Sequence, residues 1–206
     1  MGRIFSLENN RWFGMHNPFG STFRQASDPY LSLRRLSVLS YSGDLAIRHE
    51  VARNLAQRLS TDLSASQIMK IATKFNRAEI VEALKCTTKI AALAKPFVAD
   101  FIRSLNSLEL HAVISDNVGD LDRQITMDIA GHPLTPIPDL LRLLKDPVSV
   151  FAGMADQTTG PEKQIYRFPV RDIAASNLKH RVYQLDNETA MKVRMTLQSA
   201  VIEEIR

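Results

Sequence analysis

The chain has 206 residues and a mass of 23.2 kDa, enough for one good-sized domain or for one domain with an extra arm. Hydrophobic residues make up 45% and charged residues 23% of it, which is typical of a folded globular protein and argues against disorder. No apolar run reaches the ~18 residues of a membrane span, and residues 1–6 lack a signal-peptide core. The single cysteine, Cys86, excludes an internal disulfide and any cysteine-rich metal centre. Together these features predict a cytoplasmic protein.

The positive charge is concentrated at the front of the chain. The first 60 residues contain eight arginines, no lysine and four acidic residues, and this excess equals the formal net charge of +4 of the whole chain. The remainder is therefore neutral, although the pI is about 9.3. A uniformly basic nucleic-acid-binding protein is disfavoured, because its positive charge would extend over most of the binding surface.

Residues 1–27 differ from the rest of the sequence. Five of the fourteen aromatic residues lie in the first 23 positions, among glycines, asparagines and a proline, and no helical or strand period is sustained there. We predict an irregular aromatic arm. Exposed aromatic rings in a loose segment are costly, so we expect them to pack either on the protein's own body or on a partner.

From Asp28 onward the pattern is helical. Pro29 suits the start of a helix that ends at Ser42-Gly43, and Asp44 is placed to cap a second helix with apolar residues at three- and four-residue steps. Further helices are predicted over 66–75, 77–87, 88–105, 108–115, 121–130, 138–144, 148–155 and 188–205. Only residues 164–170 show the alternation of a short extended segment.

Two turns between predicted helices match each other in detail. Gly43-Asp44-Leu45 is followed by Arg48, and Gly119-Asp120-Leu121 is followed by Arg123. We predict that each aspartate caps its helix and pairs with that arginine. Repeated in stacked helical hairpins, such pairs form a charged ladder.

A second pattern lies near the middle of the chain. Residues 128–136 read Asp-Ile-Ala-Gly-His-Pro-Leu-Thr-Pro, and 140–147 read Leu-Leu-Arg-Leu-Leu-Lys-Asp-Pro. Over about residues 31–158 the chain resembles the HEAT-like α-solenoids and the variant leucine-rich repeat proteins of bacteria. It departs from their pattern at Phe151, which replaces the ladder arginine, and near Ile68, where the aspartate is missing.

The resemblance implies an all-α fold of stacked antiparallel helix pairs, a HEAT-like right-handed α–α superhelix, with the irregular arm in front of it. An irregular helical bundle is the alternative. We divide the chain into an aromatic and arginine-rich arm (1–27), a helical repeat domain (28–158), and a linker with a C-terminal capping helix (159–206).

Residue patterns for catalysis are not found. His49-Glu50 begins like a zinc-protease motif, but Arg53 stands where the second histidine is needed. The chain has no nucleophile elbow, no phosphate-binding loop and no dinucleotide fingerprint. We interpret Cys86 as a small buried hydrophobic residue. The prediction is a non-enzyme without catalytic residues, metal or cofactor.

These observations predict a protein-interaction or scaffold module. Its partner is another protein or a second copy of the chain, docked by the arm, by the solenoid surface or by both. Large aromatic residues and arginine are the types most enriched at interface hot spots. The predicted partner-binding residues are Arg11, Trp12, Phe13, Phe19, Arg24, Arg34 and Arg35.

The alternative function is nucleic-acid binding. Some HEAT-like proteins are DNA-repair glycosylases that hold duplex DNA in a basic groove, and this chain has five arginines in its first predicted hairpin. A neutral body does not supply the rest of such a groove.

Overall fold

The computed structural model describes residues 18–115, 121–155 and 163–204. The described residues are mostly helical, with a single two-stranded sheet among them, which confirms the all-α prediction in its coarse form. By internal contacts the chain separates into two compact units, Met1–Ala94 and Lys95–Arg206. The division into arm, repeat domain and tail, and the stacking of helix pairs into a superhelix, stay predictions.

The first unit contains five helices among its described residues. They are α1 (Pro18–Ser27), α2 (Leu33–Leu39), α3 (Leu45–Leu59), α4 (Ala65–Lys74) and α5 (Arg77–Lys85). Helix α3 packs against both α1 and α5. The largest fully buried side chains of this unit are leucines and an isoleucine from α2 to α5, namely Leu36, Leu55, Leu59, Ile71 and Leu84. Their burial supplies the hydrophobic stabilisation that short isolated helices lack.

The second unit has six described helices and one hairpin. In chain order they are α6 (Lys95–Arg103), α7 (Ser107–Ile114), α8 (Arg123–Gly131), α9 (Ile137–Leu143), β1 (Val150–Ala155), β2 (Lys163–Arg167), α10 (Pro169–Arg181) and α11 (Asn187–Glu204), with a 3₁₀ turn at Val182–Gln184. Among the described residues, no helix is both long and apolar enough to cross a membrane.

Several predicted elements differ from the structure, among them the helix predicted over 88–105, which covers only Lys95–Arg103. The helix predicted over 148–155 is wrong, because Val150–Ala155 is a strand that pairs antiparallel with Lys163–Arg167. A short apolar run is compatible with either a helix or a strand, and here pairing with the partner strand makes it a strand. The extended segment near 164–170 is confirmed in part by that partner strand. Helix Pro18–Ser27 replaces the last part of the predicted irregular arm, with Pro18 at its start as helices prefer.

Helix starts follow the sequence signals. The Asp44 carboxylate accepts the Ala46 N–H at 2.9 Å, so the predicted cap of α3 is confirmed. Arg48 does not pair with Asp44, because its Nε lies 3.6 Å from Glu79 of α5. Asp120 lies outside the described residues. The residue that caps α8 is Asp122, whose carboxylate accepts two backbone N–H groups.

In the first unit, two side chains of α3 hold the turn between α1 and α2. Asn54 donates from Nδ2 to the carbonyls of Ala26 at 3.0 Å and Asp28 at 2.7 Å. Arg58, one turn further along α3, donates to the Leu31 carbonyl at 2.5 Å. Carbonyls at the end of a helix lack intrahelical partners. These bonds satisfy such carbonyls and fix three helices together.

In the second unit, α10 holds the turn between α8 and α9 with the same bonds. Asn177 donates from Nδ2 to the carbonyls of Ala130 at 2.8 Å and His132 at 2.9 Å. Arg181, one turn later, donates to the Thr135 carbonyl at 2.5 Å. We call this recurring arrangement of three helices the clamp module.

The turns of the two clamp modules also agree internally. The Asp28 carboxylate accepts the Tyr30 N–H at 2.9 Å, and the Nδ1 atom of His132 lies 3.1 Å from the Leu134 N–H. An Nδ1 that accepts leaves the proton of a neutral imidazole on Nε2. That Nε2–H is then the donor to the Arg103 carbonyl at 3.2 Å. Asp28 and His132 thus have the same role in their turns: each side chain accepts the backbone N–H two residues later.

The buried positions of the third helix coincide as well. Counted from the asparagine of each clamp module, the matching pairs are Ile47 with Val170, Val51 with Ala174, Leu55 with Leu178, and Leu59 with Val182, all buried. The two clamp modules therefore share the asparagine and arginine side chains, their hydrogen bonds to equivalent main-chain carbonyls, and the buried positions of the third helix. The second differs by the hairpin β1–β2, which stands between α9 and α10 where the first has a short turn.

Candidate functional site

A groove borders the short helix α2 in the first unit. Its volume is about 480 Å³, and its lining consists of Gln25, Ser32, Arg34, Arg35, Val38 and Leu39. We call it the basic groove. Ser32 starts α2 and accepts the Arg35 N–H at 3.4 Å, which helps to place both arginines in the first turn. Two of the predicted partner-binding residues, Arg34 and Arg35, thus line one concave surface.

The arginines of the basic groove differ from other arginines in the same unit. Arg53 pairs with Glu50 at 2.7 Å, and Arg58 donates to main-chain carbonyls. Helix α2 has the sequence Leu-Arg-Arg-Leu-Ser-Val-Leu and carries no acid. Within the described part of the chain, the exposed guanidinium groups of Arg34 and Arg35 form no ion pair or hydrogen bond. They present two uncompensated positive charges to solvent.

Exposed apolar and aromatic side chains lie close to these arginines in the sequence. Tyr30 is 93% exposed, Val38 70% and Tyr41 63%, and Leu45 at the start of α3 is also exposed. Clusters of exposed apolar groups bounded by charge are typical of interaction surfaces. Tyrosine and arginine together are the residue types found at interface hot spots.

The other predicted partner-binding residues are only partly described. Arg24 lies on α1, exposed, beside Gln25 of the groove. Arg11, Trp12 and Phe13 lie outside the described residues, as does the side chain of Phe19. The structure therefore brings together Arg34 and Arg35, and it does not place them relative to the aromatic anchors.

Tyr30, Val38 and Ser32 were not among the predicted residues. The sequence does indicate that Tyr30 is exposed. It directly follows Asp-Pro in a turn, so it does not lie on the buried face of a helix or strand. The contribution of Val38 depends on which face of α2 packs inward, and this follows from the buried Leu33 and Leu36.

A second exposed surface lies on the hairpin of the second unit. Phe151 and Tyr166 stand opposite each other in the strand register, with ring centroids 6.1 Å apart in an edge-to-face arrangement. Both rings are about half exposed. Arg171 lies over the Phe168 ring at 4.2 Å and donates to the Asp146 carbonyl, so α10 is fastened to the segment before the hairpin.

A partly buried ion pair with several hydrogen bonds joins α8 to the segment after α9. Arg123 donates to both carboxylate oxygens of Asp146, at 2.7 and 2.5 Å, and the Val148 N–H donates to the same carboxylate at 2.9 Å. Burial of Asp146 raises its pKa, but the hydrogen bonds from Arg123 and Val148 and the charges of Arg123 and Arg171 outweigh burial. The pKa of Asp146 is therefore lowered overall.

A histidine pair links α7 to α9. The Nδ1 atom of His111 lies 2.8 Å from Oδ2 of the buried Asp139. Arg142 lies 3.7 Å from the other carboxylate oxygen and donates to the Ser115 carbonyl at 3.0 Å. The Asp139 carboxylate is thus held between a half-exposed imidazole and a guanidinium.

Ionisable groups also meet between α3 and α5. Burial raises the pKa of Glu79 more than the positive charge of Arg48 lowers it, and the negative charge of Glu82 raises it further.

Cys86 is exposed, so its interpretation as a buried residue is wrong. It directly follows the last residue of α5 and does not face the core. Partial burial of the thiol and the Glu82 carboxylate raise the Cys86 pKa, so the thiol carries little thiolate at neutral pH.

Within residues 18–115, 121–155 and 163–204, no group of three or more His, Cys, Asp or Glu side chains is placed to hold a metal ion. Comparison of the chain with protein-family models, with curated proteins and with solved structures found no match.

Proposed function

We propose that this chain is a non-enzymatic protein-interaction module whose partner docks in the basic groove. The observation that carries the proposal is the pair Arg34 and Arg35, exposed in a groove and without an ion pair among the described residues. A guanidinium left without a counter-charge on its own protein is available for a carboxylate of another.

The surroundings of the groove support a protein partner. Val38 and Leu39 supply apolar contact within the groove, and Tyr30 and Tyr41 stand exposed next to α2 in sequence. Such a mixture of arginine, tyrosine and aliphatic groups matches the composition of interface cores. We further propose the aromatic segment before α1, with Trp12, Phe13 and Phe19 as anchors, as a second docking element, and HEAT-like stacking as the architecture that carries both.

Nucleic-acid binding is the second candidate function. Its support was the cluster of five arginines in the first hairpin, but three of them are engaged within the unit: Arg48 with Glu79, Arg53 with Glu50, and Arg58 with carbonyls. Two free guanidinium groups neutralise few phosphates, so any DNA affinity is expected to be weak and to fall steeply with salt.

Reversing the charge of the groove tests the proposed function. The variant Arg34→Glu/Arg35→Glu is expected to weaken binding of a partner captured from native lysate by about tenfold or more, since hot-spot arginines contribute about 2 kcal/mol. Kd is measured with the purified partner by calorimetry.

The matched control is Lys70→Glu/Lys74→Glu, which makes the same change of charge at two exposed lysines of α4. We expect the control to retain the partner and both variants to keep the wild-type circular dichroism. Equal loss of the partner in the two variants contradicts the proposal. Tight, salt-sensitive binding of a random DNA duplex by wild type, lost in Arg34→Glu/Arg35→Glu, favours the second candidate instead.

A further inference from the structure

The second clamp module shows what can lie against the helix that corresponds to α2. There, α7 contacts α9 through two polar links, His111 with Asp139 and the Ser115 carbonyl with Arg142. Helix α7 precedes the first helix of that module in the chain, and it is not itself one of the three clamped helices.

The shared hydrogen bonds fix which positions of the two clamp modules correspond. Ala26 matches Ala130 and Leu31 matches Thr135, each as the acceptor of the same clamp bond. Counting along the chain from these acceptors pairs the groove residues Gln25, Arg35, Val38 and Leu39 with Ile129, Asp139, Arg142 and Leu143.

Three of the four corresponding pairs differ in exposure, whereas Val38 and Arg142 are both exposed. Ile129, Asp139 and Leu143 are buried in the second unit. Their counterparts in the first unit are open to the groove: Gln25 and Arg35 are exposed, and Leu39 is half-buried. The position that meets the imidazole of His111 in the second unit is Arg35 in the first. The basic groove thus includes the counterparts, in the first unit, of the two residues that bond to α7 and its cap in the second, Asp139 and Arg142.

We propose that the basic groove binds an acidic amphipathic helix of a partner protein, with a carboxylate opposite Arg35 at the place that His111 takes opposite Asp139. The inference rests on the proposed protein-binding function and names its ligand. The helix has about two to three turns, as α7 does. Its apolar face meets Val38 and Leu39, and its acid meets Arg35 or Arg34.

Charge complementarity selects a partner over the chain itself. The groove carries Arg34 and Arg35, and the exposed Arg24 directly precedes the groove residue Gln25 on α1. Residues 1–17 contain two arginines and a single acid, Glu8, so they have the same sign as the groove. A second copy of the chain has a formal net charge of +4. Like charges that face each other across an interface weaken binding, whereas an acidic helix is attracted to the arginines of the groove.

A peptide taken from the chain's own α7 serves as the probe. It spans residues 106–115 and carries the change His111→Glu. Leu108→Lys and Ala112→Glu supply the amine and the carboxyl group of a side-chain lactam, because so short a helix is marginal in water. Leu108 is exposed in the structure and Ala112 is half-buried, so the bridge lies away from the most buried face. Binding to the full-length protein is measured by fluorescence polarisation.

We expect wild type to bind the glutamate peptide at least tenfold more tightly than the same peptide with histidine. Arg35→Asp is expected to reverse this preference, and Lys70→Glu/Lys74→Glu to leave it unchanged. Absence of binding of the glutamate peptide, or equal affinity for the two peptides, overturns the inference. Displacement of the peptide by a synthetic peptide of residues 1–17 also overturns it, since the chain's own segment is then the occupant.

The failure of this inference is distinguishable from that of the proposed function. If Arg34→Glu/Arg35→Glu loses its protein partner while the glutamate peptide does not bind, the groove docks a protein of another shape and only the inference fails. If the partner binds wild type and the charge-reversed variant equally and the peptide does not bind, both proposals fail.

Discussion

Replacing Asp146 by alanine is expected to lower the free energy of unfolding of the second unit by about 2–3 kcal/mol at neutral pH. The carboxylate is only 3% exposed and accepts two hydrogen bonds from Arg123 and one from the Val148 N–H. Its removal leaves the guanidinium of Arg123, itself partly buried, without its counter-charge. Urea denaturation followed by circular dichroism measures the change, with Asp62→Ala at an exposed position as the control.

The pH dependence of this difference has a definite sign. The pKa of Asp146 is lower in the folded protein than in the unfolded chain. Its stabilisation is therefore fully present above the ordinary aspartate pKa of about 3.9 and is lost as the pH falls through the lower folded value. The stabilities of wild type and Asp146→Ala should converge below about pH 4. A difference that stays constant between pH 7 and pH 3 contradicts the role assigned to the ion pair.

The variants Asn54→Ala and Asn177→Ala are expected to cost about 2 kcal/mol each. Each asparagine donates to two main-chain carbonyls from one amide nitrogen. Without it the Asp28 and His132 carbonyls keep the N–H of Leu31 and Thr135, but the Ala26 or Ala130 carbonyl loses its clamp donor and carries a desolvation penalty. The loss should be larger for Asn54, which is buried, than for Asn177, which is half-buried. Urea denaturation again provides the measurement.

Gln57→Ala and Lys179→Ala are the matched controls, because both residues are exposed on the same helices, α3 and α10. Their expected effect is within about 0.5 kcal/mol. A substantial loss in only one of the two clamp modules would show that the shared hydrogen bonds do not have a shared energetic role.

Much of the helical layout was predictable from local signals. Asp44 caps α3 as its position before an apolar-periodic run indicates, and α4, α5 and α7 lie close to their predicted ranges. These features depend on contacts within a few residues. Hairpin β1–β2 was not predictable in the same way, because the strand state of Val150–Ala155 depends on pairing with Lys163–Arg167 across a connection.

The residues of the clamp module recur in the sequence, but the turn pattern does not reveal them. Ile47-Arg48, Ala52, Asn54-Leu55 and Arg58 recur with identical spacing as Val170-Arg171, Ala175, Asn177-Leu178 and Arg181. The Gly-Asp turns align Arg48 with Arg123 and so indicate a different correspondence along the chain. The hairpin inserted in the second module displaces its third helix from the expected repeat distance.

The basic groove was predictable only in part. The sequence indicates that Arg34 and Arg35 are exposed on a helix without acids. It does not indicate that Arg48 finds its counter-charge in Glu79, because a pairing partner on another helix is set by packing and not by spacing along the chain. Distinguishing arginines that are available to a partner from those already engaged therefore required the structure.

The most direct test of the account is site-specific photo-cross-linking from the groove. A photoreactive phenylalanine analogue at Val38 is compared with the same group at Tyr183, which is 85% exposed in the other unit. We predict a protein adduct in native lysate from position 38 and not from 183, with the cross-link mapped by mass spectrometry to an acidic helical segment of the partner. Equal adducts from both positions, or none from position 38, would contradict the assignment of the basic groove as the docking site.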